Sequence, residues 1–291
     1  GNRPAEFAKD AQIIRIDIDK EELNRTIHPD DMTYCADADA VIVEMLKSDY
    51  TTNSDEWLDV CNQIKHLLNT VDTGKDYRKP NEVIRIIGNT LPEECTVACD
   101  VGQHQMWVAQ SFENKKNQHM LFSGAHGAMG FALPAAIGAY YGSGKLPVCI
   151  AGDGAFQMNI QELQWIMQEN IPIKIIVLNN HSLGLIRQQQ TAMFENRFCG
   201  SVAEFGYSAP AFSSIASAYG MKSAKFKCDE IISGNVYSEL KELLQNTSDP
   251  TLIEIEMEPG TYAYPKTSFG LPMHNQQPSL PDELLEKLML L

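Results

Sequence analysis

The sequence predicts an α/β fold, a parallel sheet with helices on both faces. Three observations carry that expectation. The runs CTVACD (95–100), LPVCIAG (146–152) and IPIKIIVLNN (171–180) are apolar or β-branched nearly throughout rather than alternating, which marks strands buried on both sides. Each is separated from the next by stretches of helical length and period, so consecutive strands need crossovers and run parallel. Finally, the clusters DVGQH, SGAHGAMG, GDG and NNHSLG each follow a strand-like run, at the carboxyl ends where ligands sit in such sheets.

Taken in order, AQIIRIDID (11–19) reads as a buried strand and KEELNR as a helix start, and DADAVIVEMLKSD (37–49) as an amphipathic helix. These are expected to form residues 1–49 as the end of a second α/β domain. Residues 50–80 mix polar turns with a weak helical stretch, DEWLDVCNQIKHLLN, and read as a connector. From 81 the alternation is strong. NEVIRIIGNTL predicts a helix, CTVACDVG a strand, QHQMWVAQSF a short helix, QHMLFSG a strand, and GAMGFALPAAIGAYYG a helix of small residues. LPVCIAGDG, AFQMNIQELQWIMQEN and IPIKIIVLNN follow as strand, helix and strand. FSSIASAYG, CDEIISGNVYSELKELLQ and TLIEIEM supply the last helix, helix and strand of a domain over 81–265. The tail 266–291 predicts a Pro-rich excursion and a terminal helix.

With 38 acidic against 23 basic residues in 291, the net charge is −15. That opposes nucleic acid or an anionic membrane as partner. Seven cysteines without framework spacing point to reduced thiols and a cytoplasmic protein. Trp107 and Trp165 read as core. The first residues, Gly1-Asn2-Arg3-Pro4, read as the cut end of a longer chain.

The chemistry centres on Asp153 and Asn180. Gly152 and Gly154 let the backbone turn sharply and approach a ligand closely. Asn180 ends the next strand, 27 positions on, and adjacent strand ends in a parallel sheet are close in space. A carboxylate, an amide oxygen and a backbone carbonyl make a hard oxygen site suited to Mg²⁺, which fills its octahedron with phosphate and water. The helix start expected at Ala155 adds an anion site. GDG alone is a common turn and NN alone a common loop; their strand–helix–strand spacing is the specific signal. A dinucleotide fingerprint and a P-loop are both absent.

GDG followed by NN at this distance resembles the signature of thiamine-diphosphate (ThDP) enzymes. DVGQHQMW, SGAHGAMGFALPAAIGA, GDGAFQMNIQEL and LNNHSLGLIRQ are similar to the acetolactate synthase large-subunit group, closely over 95–200. The resemblance implies a ThDP-binding fold, with Asp153, Asn180 and the Ser182 carbonyl as Mg²⁺ ligands. Gln103 and His104 would hold diphosphate oxygens, and Gly154 and Ala155, beside Gly152, would offer N–H groups. The Gly127 carbonyl would meet the cofactor's amino group while Met129 wedges between its rings. The implied reaction decarboxylates a 2-keto acid such as pyruvate and adds the acyl unit to a second carbonyl. A simple ThDP decarboxylase or oxidase and a non-catalytic cofactor-domain module remain as alternatives.

The family's activating glutamate belongs to an N-terminal domain supplied by a neighbouring subunit. This chain is therefore expected to be a C-terminal half that is inactive alone, within a homodimer or tetramer. IIRIDID resembles a segment near the flavin of relatives, which leaves FAD open for the intact parent. Three departures concern the substrate pocket. Leu185 stands where Met is common, Gln189 where an acceptor-selecting Trp is common, and His126 where Leu is common. A Gln189 amide in that pocket would favour a polar carbonyl acceptor such as a keto-sugar over an alkyl keto acid. The tail FGLPMHNQQPSLP is similar to that of relatives encoded with polysaccharide pathways.

Overall fold

The computed structural model describes residues 7–8, 10–48, 53–71, 75–267, 271 and 275–291. Most of the FGLPMHNQQPSLP segment's first half therefore lies outside the described residues. The chain divides into two compact units, Gly1–Gln63 and Ile64–Leu291.

In the first unit, β1 (Ile14–Asp17) pairs in parallel with β2 (Met32–Cys35). Between them runs α1 (Lys20–Asn24), whose N-cap Asp19 accepts the Glu21 N–H at 2.9 Å. α2 (Ala38–Leu46) follows, capped by Asp37 on the Ala40 N–H at 3.1 Å. Such caps satisfy amides that have no partner inside the helix. The strand is not buried as its composition predicts: Ile14 is 57% exposed. Two strands and two short helices are too few to cover it. Arg15 bonds Asp31 at 2.7 Å and holds its carboxyl below the usual range. α3 (Asp55–Val71) supplies the helix expected within 50–80.

The second unit is built on a six-stranded parallel sheet in the order β4-β3-β5-β6-β8-β7. Its strands are β3 (Cys95–Cys99), β4 (His119–Phe122), β5 (Leu146–Gly152), β6 (Lys174–Asn179), β7 (Lys222–Lys227) and β8 (Thr251–Glu256). Alternate residues of each strand feed opposite faces. Val97, Val148, Ile150, Ile176 and Ile253 pack with α4 (Lys79–Thr90), α5 (Gln103–Ser111) and α12 (Tyr237–Gln245). Ala98, Cys149, Ile175, Val177 and Leu252 pack with α6 (Ala132–Ser143), α8 (Glu162–Gln168) and α10 (Phe212–Ala218). Burying an isoleucine or valine in this way contributes about 1.5–3 kcal/mol, and β6 is buried at every position. That explains why its sequence reads as a continuous apolar run.

Several predicted elements are divided. The stretch 155–170 is two helices, α7 (Asp153–Gln157) and α8, because Asn159 Nδ2 turns aside to the Gly130 carbonyl at 2.5 Å. The first begins at Asp153, not Ala155. The stretch 228–245 splits into α11 (Cys228–Ile232) and α12 around Gly234, at φ +79°. α6 starts at Ala132, leaving 123–131 as a loop. α9 (Gly184–Met193) completes the helices around the sheet. The tail holds the short antiparallel pair β9 (Lys266–Thr267) and β10 (Gln276–Gln277), then α13 (Asp282–Leu290). No helix among the described residues is long and apolar enough to cross a membrane.

From β3 the chain steps to β4 on one side and to β5 on the other. Strand order reverses there, which opens a crevice at the carboxyl ends of β3 and β5.

Candidate active site

A cleft of about 220 Å³ occupies that crevice. Gln103, His104, Gly127, Met129, Gly152, Asp153, Gly154, Ala155, Asn180, Ser182 and Leu185 all line it. They come from the ends of β3, β5 and β6 and from the loop before α6, segments far apart in sequence.

Asp153 is 3% exposed. Its Oδ1 accepts the Gly154 N–H at 3.0 Å and its Oδ2 the Ser182 N–H at 3.1 Å. Burial pushes its pKa up to about 6, and the bonds from Gly154, Tyr207 and Ser182 oppose that rise. A carboxylate kept short of water in this way favours a neighbouring cation. The two asparagines of the NN pair divide their work. Asn179 donates to the buried Glu254 at 2.9 Å, and its oxygen accepts the His181 N–H, fixing the turn. Asn180 donates to Gln103 Oε1 at 3.0 Å and faces the cleft. Ser182 donates its hydroxyl to the Ser201 carbonyl at 2.9 Å, so only its backbone adjoins Asp153.

His104 is wedged between strand ends: a Cβ on Gly152 would lie 2.8 Å from its Nδ1. Burial lowers its pKa to about 4, against a bond to the Asp100 carbonyl that raises it. The ring is therefore neutral at pH 7, and its buried Nε2 has no hydrogen-bond partner. Leaving such an atom unpaired costs about 1–3 kcal/mol, which a polar ligand in the cleft would recover. Met129 projects toward Gly154, its Cε 3.5 Å from where a Cβ there would stand. Gly127 has φ +67°, a left-handed conformation that favours glycine.

Gln103 departs from the role the resemblance implies. Both donors of its amide are engaged inside the protein, with Gln188 Oε1 and the Thr261 carbonyl, each at 3.0 Å. None is left for a phosphate oxygen. His126 and Gln189 also stand apart. Both are exposed and neither lines the cleft, and the Gln189 amide lies 3.8 Å from Met193 Sδ. Trp165 is 42% exposed rather than core, whereas Trp107 is core and also lines the cleft.

Sequence reasoning missed Asp100 as a site-building residue. It is 1% exposed and accepts the N–H groups of Gly130 at 2.9 Å and Ala132 at 2.8 Å. That pins the Met129 loop over the end of β3. Its position at the head of DVGQH was the available signal. Gln188 and Tyr207 carried none.

The donors fit a diphosphate held through a divalent cation. An anionic ligand group could take the orphaned His104 Nε2 once that ring gains a proton, and the Asp153 carboxylate lies across the same cleft. The comparisons with known proteins bear on the family. Residues 100–255 match the family model for "Thiamine pyrophosphate enzyme, C-terminal TPP binding domain". The chain is 33% identical over 273 residues to the acetolactate synthase large subunit of Lactococcus lactis subsp. lactis (strain IL1403), covering 93% of this chain and 46% of that protein. It is 32% identical over 272 residues to the acetolactate synthase large subunit of Porphyra purpurea, covering 91% and 45%. It is 32% identical over 222 residues to the acetolactate synthase isozyme 2 large subunit of Escherichia coli (strain K12), covering 74% and 38%. The chain spans about half the length of the curated relatives it matches. Its cleft at the β3–β5 crevice and these matches together place the chain in the thiamine pyrophosphate enzyme family, as a bearer of the C-terminal TPP-binding domain similar to that of acetolactate synthase large subunits.

Proposed function

We propose that this chain is the cofactor-binding part of a ThDP-dependent carboligase of the acetolactate synthase type. The observation that carries the reading is the convergence of Asp153, Asn180 and His104, whose buried Nε2 has no partner, on one cleft. Asp153, the Asn180 oxygen and the Ser182 carbonyl would hold Mg²⁺, and His104, once protonated, with the Ala155 amide would hold the diphosphate, the Gly154 N–H being given to Asp153. Gly127 and Met129 would orient the cofactor's rings. ThDP, when bound, supplies the electron sink for decarboxylating a 2-keto acid.

The residues of this chain position the cofactor and exclude water; they do not supply the activating acid. Asp153 is the one carboxylate lining the cleft among the described residues, and it is committed to the cation. The glutamate that the family resemblance calls for would come from another segment or subunit. The reaction balances without a redox partner: one C–C bond breaks as CO₂ leaves, one forms to the acceptor carbonyl, and the new alkoxide takes up a proton. The substrates are small molecules, pyruvate first among them. The cysteines are all unpaired, which suits a reducing, cytoplasmic setting.

Product analysis tests the reading. The intact protein that carries this domain, given pyruvate, ThDP and Mg²⁺, is expected to yield acetolactate. Acetaldehyde or acetate in its place would assign the simple decarboxylase or oxidase instead.

A further inference from the structure

An amide side chain has a donor end and an acceptor end of nearly equal size, so its partners decide which end faces a site. For Asn180 two backbone groups of the segment 261–263 decide it. The Ala263 N–H donates to Gln188 Oε1 at 3.1 Å, which fixes that atom as the oxygen. The same oxygen accepts from Gln103 Nε2 at 3.0 Å, and Nε2 also donates to the Thr261 carbonyl at 3.0 Å. Gln103 Oε1 is thereby turned to Asn180 and accepts from its Nδ2 at 3.0 Å. The end of Asn180 that remains for the cleft is Oδ1. Gln103, Asn180 and Gln188 are 4%, 5% and 6% exposed, so water does not compete for these bonds.

We propose that Gln188, anchored by Ala263, is a positioning residue for the cation site. Acting through Gln103, it obliges Asn180 to present its oxygen, where a reversed amide would set two N–H protons against a divalent ion. The proposal rests on the reading of Asp153 and Asn180 as the cation site. It gives Gln103 a role that its occupied donors permit, as the link to the cation ligand rather than as a phosphate contact. Gly184 is part of the device: a Cβ there would stand 2.0 Å from Gln103 Oε1 and 2.8 Å from Asn180 Nδ2.

The test measures the Mg²⁺ dependence of ThDP binding by calorimetry, in the intact protein that carries this domain. Gln188→Leu should weaken apparent Mg²⁺ affinity about tenfold, the scale seen when partners behind a metal ligand are removed. Gln188→Glu keeps an acceptor oxygen for Gln103 and Ala263 and should rescue it. Should the leucine variant melt early, Gln188→Ser, which leaves room for water on the Ala263 N–H, is read in the same way. In an Asn180→Asp background either carboxylate end offers oxygen and orientation no longer matters. Adding Gln188→Leu there should change affinity by less than about twofold, a non-additivity that reports direct coupling. Equal losses in both backgrounds, or an unchanged Gln188→Leu, would overturn the relay alone if Asp153→Ala still abolishes Mg²⁺-dependent binding. Full Mg²⁺ dependence in Asp153→Ala would instead overturn the site reading, and the relay with it.

Discussion

Asp153 and Ser182 are joined across the crevice: the Ser182 N–H donates to Asp153 Oδ2 at 3.1 Å. The bond ties the turn after β5 to the turn after β6, so the carboxylate is oriented by backbone. The serine hydroxyl is turned away, to the Ser201 carbonyl. Ser182→Ala should therefore leave Mg²⁺-dependent ThDP affinity nearly unchanged while lowering unfolding stability by about 1 kcal/mol, the net worth of one hydrogen bond. Denaturant melts beside binding isotherms check both parts.

His104 separates a ligand-binding role from a packing role. Replacing it with leucine removes a buried atom that has no partner, along with one bond to the Asp100 carbonyl. These opposing effects should leave stability within about 1 kcal/mol of the parent. ThDP affinity should nevertheless fall at least about tenfold, the equivalent of the one charge-assisted bond that the ring makes to a diphosphate oxygen when it takes up a proton on binding. A large loss of stability with affinity intact would make His104 a packing residue.

Gly184→Ala should be costly although the residue starts a helix, where alanine is normally welcome. The added methyl would collide with Gln103 Oε1. Overpacking of this kind costs about 1–3 kcal/mol, and the displaced Gln103 and Asn180 should weaken cation binding at the same time. Thermal melts with and without Mg²⁺ and ThDP would show both effects.

Lys174 gives a pH signature away from the cleft. It is fully buried in β6, bonded to the Asp249 carbonyl at 2.5 Å and to Thr251 Oγ1 at 3.1 Å, and burial lowers its pKa to about 8. Below pH 8 both folded and unfolded chains carry the charge, and its burial cost is fully present. Above pH 8 the folded chain releases the proton first, so this group's contribution to stability improves until the unfolded lysine titrates near its ordinary value of 10.5. Relative to Lys174→Met, the parent should gain roughly 2 kcal/mol between pH 7 and pH 10. Urea melts at the two values read the difference directly.

Most of the large sheet was legible because β3, β5, β6 and β8 are buried on both faces and their sequences show it. The edge strand β7 was not: KSAKFK exposes Lys222, Lys225 and Lys227, and its alternating charges hide a strand that pairs on one side only. The break between α7 and α8 was hidden for another reason. Asn159 reaches Gly130, a tertiary bond that no helical period records. In the site, Asp153 and Asn180 could be picked out because strand ends and spacing place them. The Gln103–Gln188–Ala263 chain could not, since Gln188 and Ala263 lie 75 positions apart and only the folded sheet brings them together. His126 and Gln189 were chosen by departure from a motif, and neither lines the cleft.

The central claim is that Asp153 and Asn180 hold the cation through which a diphosphate binds. Its most direct test is equilibrium binding of ThDP to Asp153→Ala and to the unchanged protein, both with saturating Mg²⁺ and with a chelator. The unchanged protein should bind only when Mg²⁺ is present, and Asp153→Ala should fail to bind at all while keeping its fold by circular dichroism, because two phosphates cannot approach the site without the cation's charge. Mg²⁺-dependent affinity in Asp153→Ala within about twofold of the unchanged protein would contradict the account, since a lost metal ligand should cost far more than that.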